Sequence, residues 1–151
     1  MSALTVFPSQ ISASAAYRDA TVLGILMDTG QEKAVVTLTS FVNGDASLYF
    51  SAGGGVIGGI GHADVRIAAR RFTQFAGALV SEMSKCTDFP LPVVGQTTFY
   101  VITTGGVFTL TAPEQQLSAG LHDFSPLYHA GHYVISRLLN MIQKRNENSV
   151  A

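Results

Sequence analysis

Charge is scarce in this chain: only 13% of its 151 residues are Asp, Glu, Lys or Arg, about half the usual share for a globular domain. So few charges leave too little polar surface to cover the whole exterior. That favours self-association, or an apolar face that meets a partner. The signs nearly balance, with a formal net charge of −1, so there is no long-range field to draw in nucleic acid or an anionic membrane. Neither is expected as a partner. Cysteine is nearly absent too. Cys86 stands alone, so no intrachain disulfide framework exists, and the expected compartment is a reducing one, the cytoplasm. Long apolar runs are missing, the longest being short and broken by Gly24 and polar residues. Spanning a bilayer takes roughly 20 apolar residues. The stretch Met1 to Pro8 has neither a basic start nor a long apolar run, so no secretory signal is read there.

Apolar residues, by contrast, make up 47% of the chain, and the length suits one domain over residues 1–151 with a real core. Its ends, roughly eight residues at the N-terminus and seven at the C-terminus, are expected to be loose. The spacing of Ala13, Ala16, Tyr17, Ala20, Leu23 and Met27 predicts a helix over Ser9 to Met27, capped by Ser9 or Ser12 and stopped at Gly30. Ala34 to Val42 is rich in Val, Thr and Phe and predicts a strand. Asn43-Gly44-Asp45 supplies a tight turn, and Ser47 to Ser51 returns as the second arm. A long helix is predicted from Ala63 to Lys85, its buried stripe formed by Val65, Ala68, Ala69, Phe72, Ala76, Leu79, Val80 and Met83. Cys86 to Pro92 holds two prolines and is expected to be a loop.

Thr97 to Thr103 and Val107 to Thr111 form a second expected hairpin around Thr104-Gly105-Gly106, and its first arm is apolar on both faces, as a central strand would be. Ala112 to Leu121 is expected to be an irregular connection. Phe124-Ser125-Pro126 then announces a last helix over Pro126 to Lys144, with Ser125 as cap and Leu127, Ala130, Val134, Leu138 and Ile142 on its core face. Beyond Gln143 the chain is polar and expected to fray. Strands that come in adjacent pairs, with helices between the pairs, predict an α+β domain: an antiparallel sheet of four to five strands with three helices packed on it.

The sharpest local feature is Ser51 to Gly61, with six glycines in eleven residues. Gly53-x-Gly55-x-x-Gly58 matches a dinucleotide fingerprint in form, lying after a strand and before a helix. Amides at a helix start favour anions, so Gly53, Gly54, Gly55, Gly58, Gly59, Gly61, His62 and Arg66 are the candidate ligand-binding residues. The surroundings argue against a dinucleotide. The preceding strand is the second arm of a hairpin, no acidic strand tip follows the helix, and the chain is too short for a doubly wound sheet. The plainer expectation is that these glycines let the strand bend or let another backbone approach closely.

His122, His129 and His132 are the candidate metal ligands, with Asp123 or His62 as company, yet the helical pair is spaced i, i+3 and lacks the glutamate of the common two-histidine zinc motif. Gly131 inside a helix costs roughly 1 kcal/mol against alanine, so close packing against a neighbour is expected there. Cys86 has no evident base and is expected to be an idle thiol. Carboxylates are few and scattered, no serine sits in a nucleophile elbow, and no cofactor or metal is expected. Arg66, Arg70 and Arg71 suit a solvated helix face or an acidic partner.

In layout the chain resembles the roadblock-type dynein light chains and profilin-like small domains. The resemblance rests on the order N-terminal helix, hairpin (Ala34 to Ser51), long helix (Ala63 to Lys85), further antiparallel strands (Thr97 to Thr111) and C-terminal helix (Pro126 to Lys144). It implies a homodimeric scaffold or regulator with a protein partner such as a small GTPase. With no catalytic set in view, a non-enzymatic interaction module is the expected function. A small-ligand, phosphate or nucleotide-binding domain built on Gly53 to Gly61 is the alternative.

Overall fold

A computed structural model of the chain describes residues 21–150, with side chains through residue 146. Strands β1 (Val22–Gly30), β2 (Val35–Phe41), β3 (Ala46–Phe50) and β4 (Gly55–Val56) come first. Helix α1 (Ala63–Leu79) follows, then β5 (Ser84–Cys86), β6 (Gln96–Thr103) and β7 (Gly106–Pro113). A short helix α2 (Glu114–Ser118) and the long α3 (Ser125–Val150) close the chain. The strands form one sheet in the order β4-β3-β2-β1-β6-β7-β5, and every named pairing is antiparallel. The α+β class therefore holds among the described residues, with seven strands in place of four to five.

The largest correction concerns the predicted first helix. Residues 9–20 lie outside the described residues, but residues 22–27 belong to β1, not to a helix. Of the positions that fit a helical period, Leu23 and Met27 fall in β1, where their spacing also fits one face of a strand. Met27 is buried and Leu23 is exposed. Ile25 and Met27 turn to the helices and are fully covered, and Leu26 points the other way, half-buried. β1 sits at the centre of the sheet, between β2 and β6, where β-branched and apolar residues on both faces are favoured.

Other boundaries moved for tertiary reasons. The long helix ends at Leu79 rather than Lys85, through a 3-10 turn over Val80–Glu82. Ser84, Lys85 and Cys86 then pair with Thr109, Phe108 and Val107 of β7, so Cys86 lies in an edge strand and the loop begins at Thr87. The region expected to be irregular, Ala112 to Leu121, contains the end of β7 and α2. At the far end the helix continues through the polar tail to Val150.

The two hairpins are where expected. Gly44 has φ 94°, Asn43 Oδ1 accepts the Asp45 amide at 2.9 Å, and the turn rests on α1, where Arg70 Nη2 donates to Asn43 O at 3.3 Å. β6 is an interior strand: Phe99 and Val101 are fully buried toward the helices, and Tyr100 is buried toward the opposite face. The expected α1 stripe is buried except for the half-exposed Leu79.

Gly131 of α3 performs the packing role its position suggested. A Cβ there would lie 2.8 Å from Met27 Sδ and 2.9 Å from Phe72 Cζ, so α3, α1 and β1 meet at a point where no side chain fits. The start of α3 differs in detail from expectation. His122, not Ser125, caps it: His122 Nδ1 accepts the Phe124 amide at 3.0 Å, and the Ser125 hydroxyl accepts the His122 amide at 3.2 Å. Phe124 is buried against Phe99, with ring centroids 6.2 Å apart.

Candidate functional site

The glycine loop divides into two kinds of position. Gly53, Gly54 and Gly58 have φ of 122°, 86° and 87°, a region that strains other residues. A Cβ at any of them, or at Gly61, would meet nothing within 4 Å. Gly55 and Gly59 are held from inside. A Cβ at Gly55 would lie 2.5 Å from Leu48 O, and one at Gly59 would lie 2.8 Å from Ala46 O and from Val65 Cγ1. The loop therefore folds back on β3 and α1 through two glycines and leaves four others in open space.

The charges around it are already engaged. Arg66 Nη1 donates to Ile60 O at 2.7 Å, clamping the loop to the helix that follows. His62 is exposed, and its side chain makes no capping bond to α1. Asp64 occupies the first turn, accepts the Val65 amide at 2.9 Å and faces Arg137 Nη1 of α3 at 4.0 Å. A carboxylate at a helix start complements the helix dipole in the way an incoming phosphate would. The phosphate alternative thus has its amides beside a fixed negative charge, and its arginine is committed to a carbonyl.

His129 and His132 flank the same Tyr128 ring, with centroids 5.6 and 4.3 Å away. His122 caps α3, His129 is exposed, and His132 lies half-buried. Among the described residues no group of three or more His, Cys, Asp or Glu side chains is arranged to hold a metal ion. Cys86 is half-buried. Burial pushes its thiol up, and Asp88 nearby adds to the effect, so the side chain stays protonated and lacks the depressed pKa of an activated nucleophile.

Two features were missed at the level of sequence. One is Asp28 on β1, buried on the sheet face opposite the helices. The Thr37 hydroxyl donates to its Oδ1 at 2.6 Å, and no basic side chain among the described residues pairs with it. Burial raises its pKa, and the Thr37 bond partly offsets this. The folded chain then holds the Asp28 proton more tightly than the unfolded chain does. Its contribution to stability is complete below the ordinary aspartate range and is lost as pH rises through the raised folded value. Asp28→Asn should be more stable than the wild type at neutral pH, and the difference should shrink as pH falls. Denaturant melts at several pH values check this, and a variant less stable at every pH would refute it.

The other is the segment Asp88 to Gly95. Tyr100 Oη donates to Pro90 O at 2.7 Å, and the Phe89 ring stands edge-on to Tyr100 at 5.5 Å. Gly95 N donates to Gly30 O at 3.0 Å, and Gln96 N donates to Val93 O at 3.1 Å. Gly30 makes this seat possible, since a Cβ there would collide with the Val93 and Pro92 carbonyls. The backbone is thus tied to the sheet at both ends, yet Phe89, Leu91, Val93 and Val94 are 57–70% exposed. The run Phe-Pro-Leu-Pro-Val-Val was the available signal, because prolines mark a loop and an alternation of apolar residues within a loop has no core to fill. No helix among the described residues is long and apolar enough to cross a membrane.

Compared with known proteins, the chain matches no family model, no curated protein and no solved structure.

Proposed function

We propose that this chain is a non-enzymatic protein-interaction module that acts as a homodimer. The observation that supports this most is the pinned apolar segment Phe89 to Val94, whose four large side chains project from a backbone fixed by Tyr100 and Gly30. A protein that exposes such a set on a rigid support has already met part of the ordering cost of association. The sparse charge of the whole chain points the same way. A regulatory or scaffold role toward a protein such as a small GTPase fits the layout resemblance and uses the same kind of surface.

The experiment is sedimentation or light scattering of the purified chain over a wide concentration range. A dimer is expected, and Leu91→Asp with Val93→Asp should weaken it strongly, since each fully buried aliphatic side chain contributes about 1.5–3 kcal/mol and about 1.4 kcal/mol is tenfold in Kd. A strict monomer at high concentration, or a dimer indifferent to both substitutions, would overturn the proposal. A screen of nucleotides and phosphorylated metabolites by thermal shift tests the alternative at Gly53 to Gly61. Clear stabilisation by one of them would favour that alternative.

A further inference from the structure

Glu114, Tyr128 and His132 form a sheltered polar cluster at the junction of α2 and α3 that neither the glycine loop nor the apolar segment uses. Tyr128 is buried, and its hydroxyl donates to Glu114 Oε2 at 2.6 Å. Burial is the main reason its pKa lies far above the usual tyrosine range, and the Glu114 bond adds to it, so the phenol remains a donor. The His132 ring packs on the Tyr128 ring at 4.3 Å, and its buried Nε2 has no hydrogen-bond partner among the described residues. An unpaired buried nitrogen is costly, and protonating it with no anion at hand would cost more.

Two titratable neighbours act on that ring through their charge, Glu114 of α2 and His129 of α3. Burial lowers the pKa of His132, the Glu114 carboxylate opposes that, and His129 adds to the lowering. Among the described residues Glu114 is the negative group that acts on the ring, and it is bonded to Tyr128. The same carboxylate therefore has two claimants.

We propose that Glu114 is a proton-responsive latch: its carboxylate holds the Tyr128 hydroxyl while His132 is neutral, and turns to His132 when that ring takes up a proton. The exchange is local. Leu117 of α2 is fully buried and anchors the helix in the core, so α2 stays seated while the side-chain bond changes hands. The Glu114 amide likewise stays in place, donating to Gly95 O at 2.9 Å. The latch does not depend on the dimer reading.

Its test is a pH titration of the histidine ring and tyrosine ring resonances by NMR, on the wild type, Glu114→Gln and Tyr128→Phe. In the wild type the Tyr128 signals should move with the midpoint of His132, which should lie below the ordinary histidine range. Glu114→Gln keeps an acceptor for the hydroxyl but loses the charge. The His132 midpoint should then fall further, and the Tyr128 signals should stop following it. Tyr128→Phe frees the carboxylate and should raise the midpoint. Circular dichroism confirms that each variant is folded. A His132 midpoint unmoved by Glu114→Gln, or Tyr128 signals that ignore His132 in the wild type, would overturn the latch.

Discussion

Phe72→Ala should destabilise the chain by about 3–5 kcal/mol, the usual cost of removing a buried ring, and should at the same time make Gly131 tolerant of a methyl group. Phe72 is fully buried on α1, and its Cζ would stand 2.9 Å from a Cβ at position 131. In the wild type, Gly131→Ala sets a helix-propensity gain of roughly 1 kcal/mol against a collision with Phe72 and with the Met27 sulfur. The expected net result is a loss. With the ring gone, one wall of the collision is gone, and the flexible end of Met27 can move aside. Gly131→Ala should then be neutral or stabilising in the Phe72→Ala background. Thermal melts read this directly, since 1 kcal/mol shifts Tm by about 2–4 °C in a chain of this size. Strictly additive losses would mean that Gly131 is not present for the sake of close packing.

The second large effect is expected in the glycine loop. Gly59→Val must displace either the Ala46 carbonyl, part of β3, or the packed Val65 and Leu138 side chains, and overpacking of this kind costs about 1–3 kcal/mol or more. Gly58→Ala meets no atoms but sits at φ 87°, a left-handed conformation that costs roughly 1–2 kcal/mol for a residue with a Cβ. Gly61→Ala meets neither obstacle and should be close to silent. Urea denaturation of the three variants gives the ranking. If Gly61→Ala proved as damaging as Gly59→Val, something outside the chain's own packing would be acting at Gly61.

How far the sequence carries depends on whether a feature is local. Asn43-Gly44-Asp45 was legible because its turn needs positive φ and a side-chain acceptor, both properties of those residues themselves. The packing role of Gly131 was legible because glycine in a helix has a known cost that something must justify. β1 was not legible. Leu23 and Met27 satisfy two periodicities at once, and only a central place in the sheet decides between them. β5 was not legible either, since Ser84 to Cys86 becomes a strand because β7 offers it an edge.

The candidate sites follow the same rule. The sequence marked the glycines but not which of them are filled from inside, because that depends on Leu48, Ala46 and Val65 in other elements. It marked His132 without its partners, since Glu114 and Tyr128 are 14 residues apart and meet only when α2 folds against α3. Asp28 drew no reading of its own, because its burial comes from the strands on either side.

Among the described residues both borders of the sheet are short. β4 spans two residues and β5 three, with Lys85 in the middle of β5, whereas the five strands between them run to between five and nine residues. A long open border would offer a row of unpaired amides and carbonyls to any other chain, and a protein this poor in charge has little repulsion to keep copies apart. Truncated borders supply the protection that charge does not. Open-ended fibre-like stacking through the sheet is thereby disfavoured.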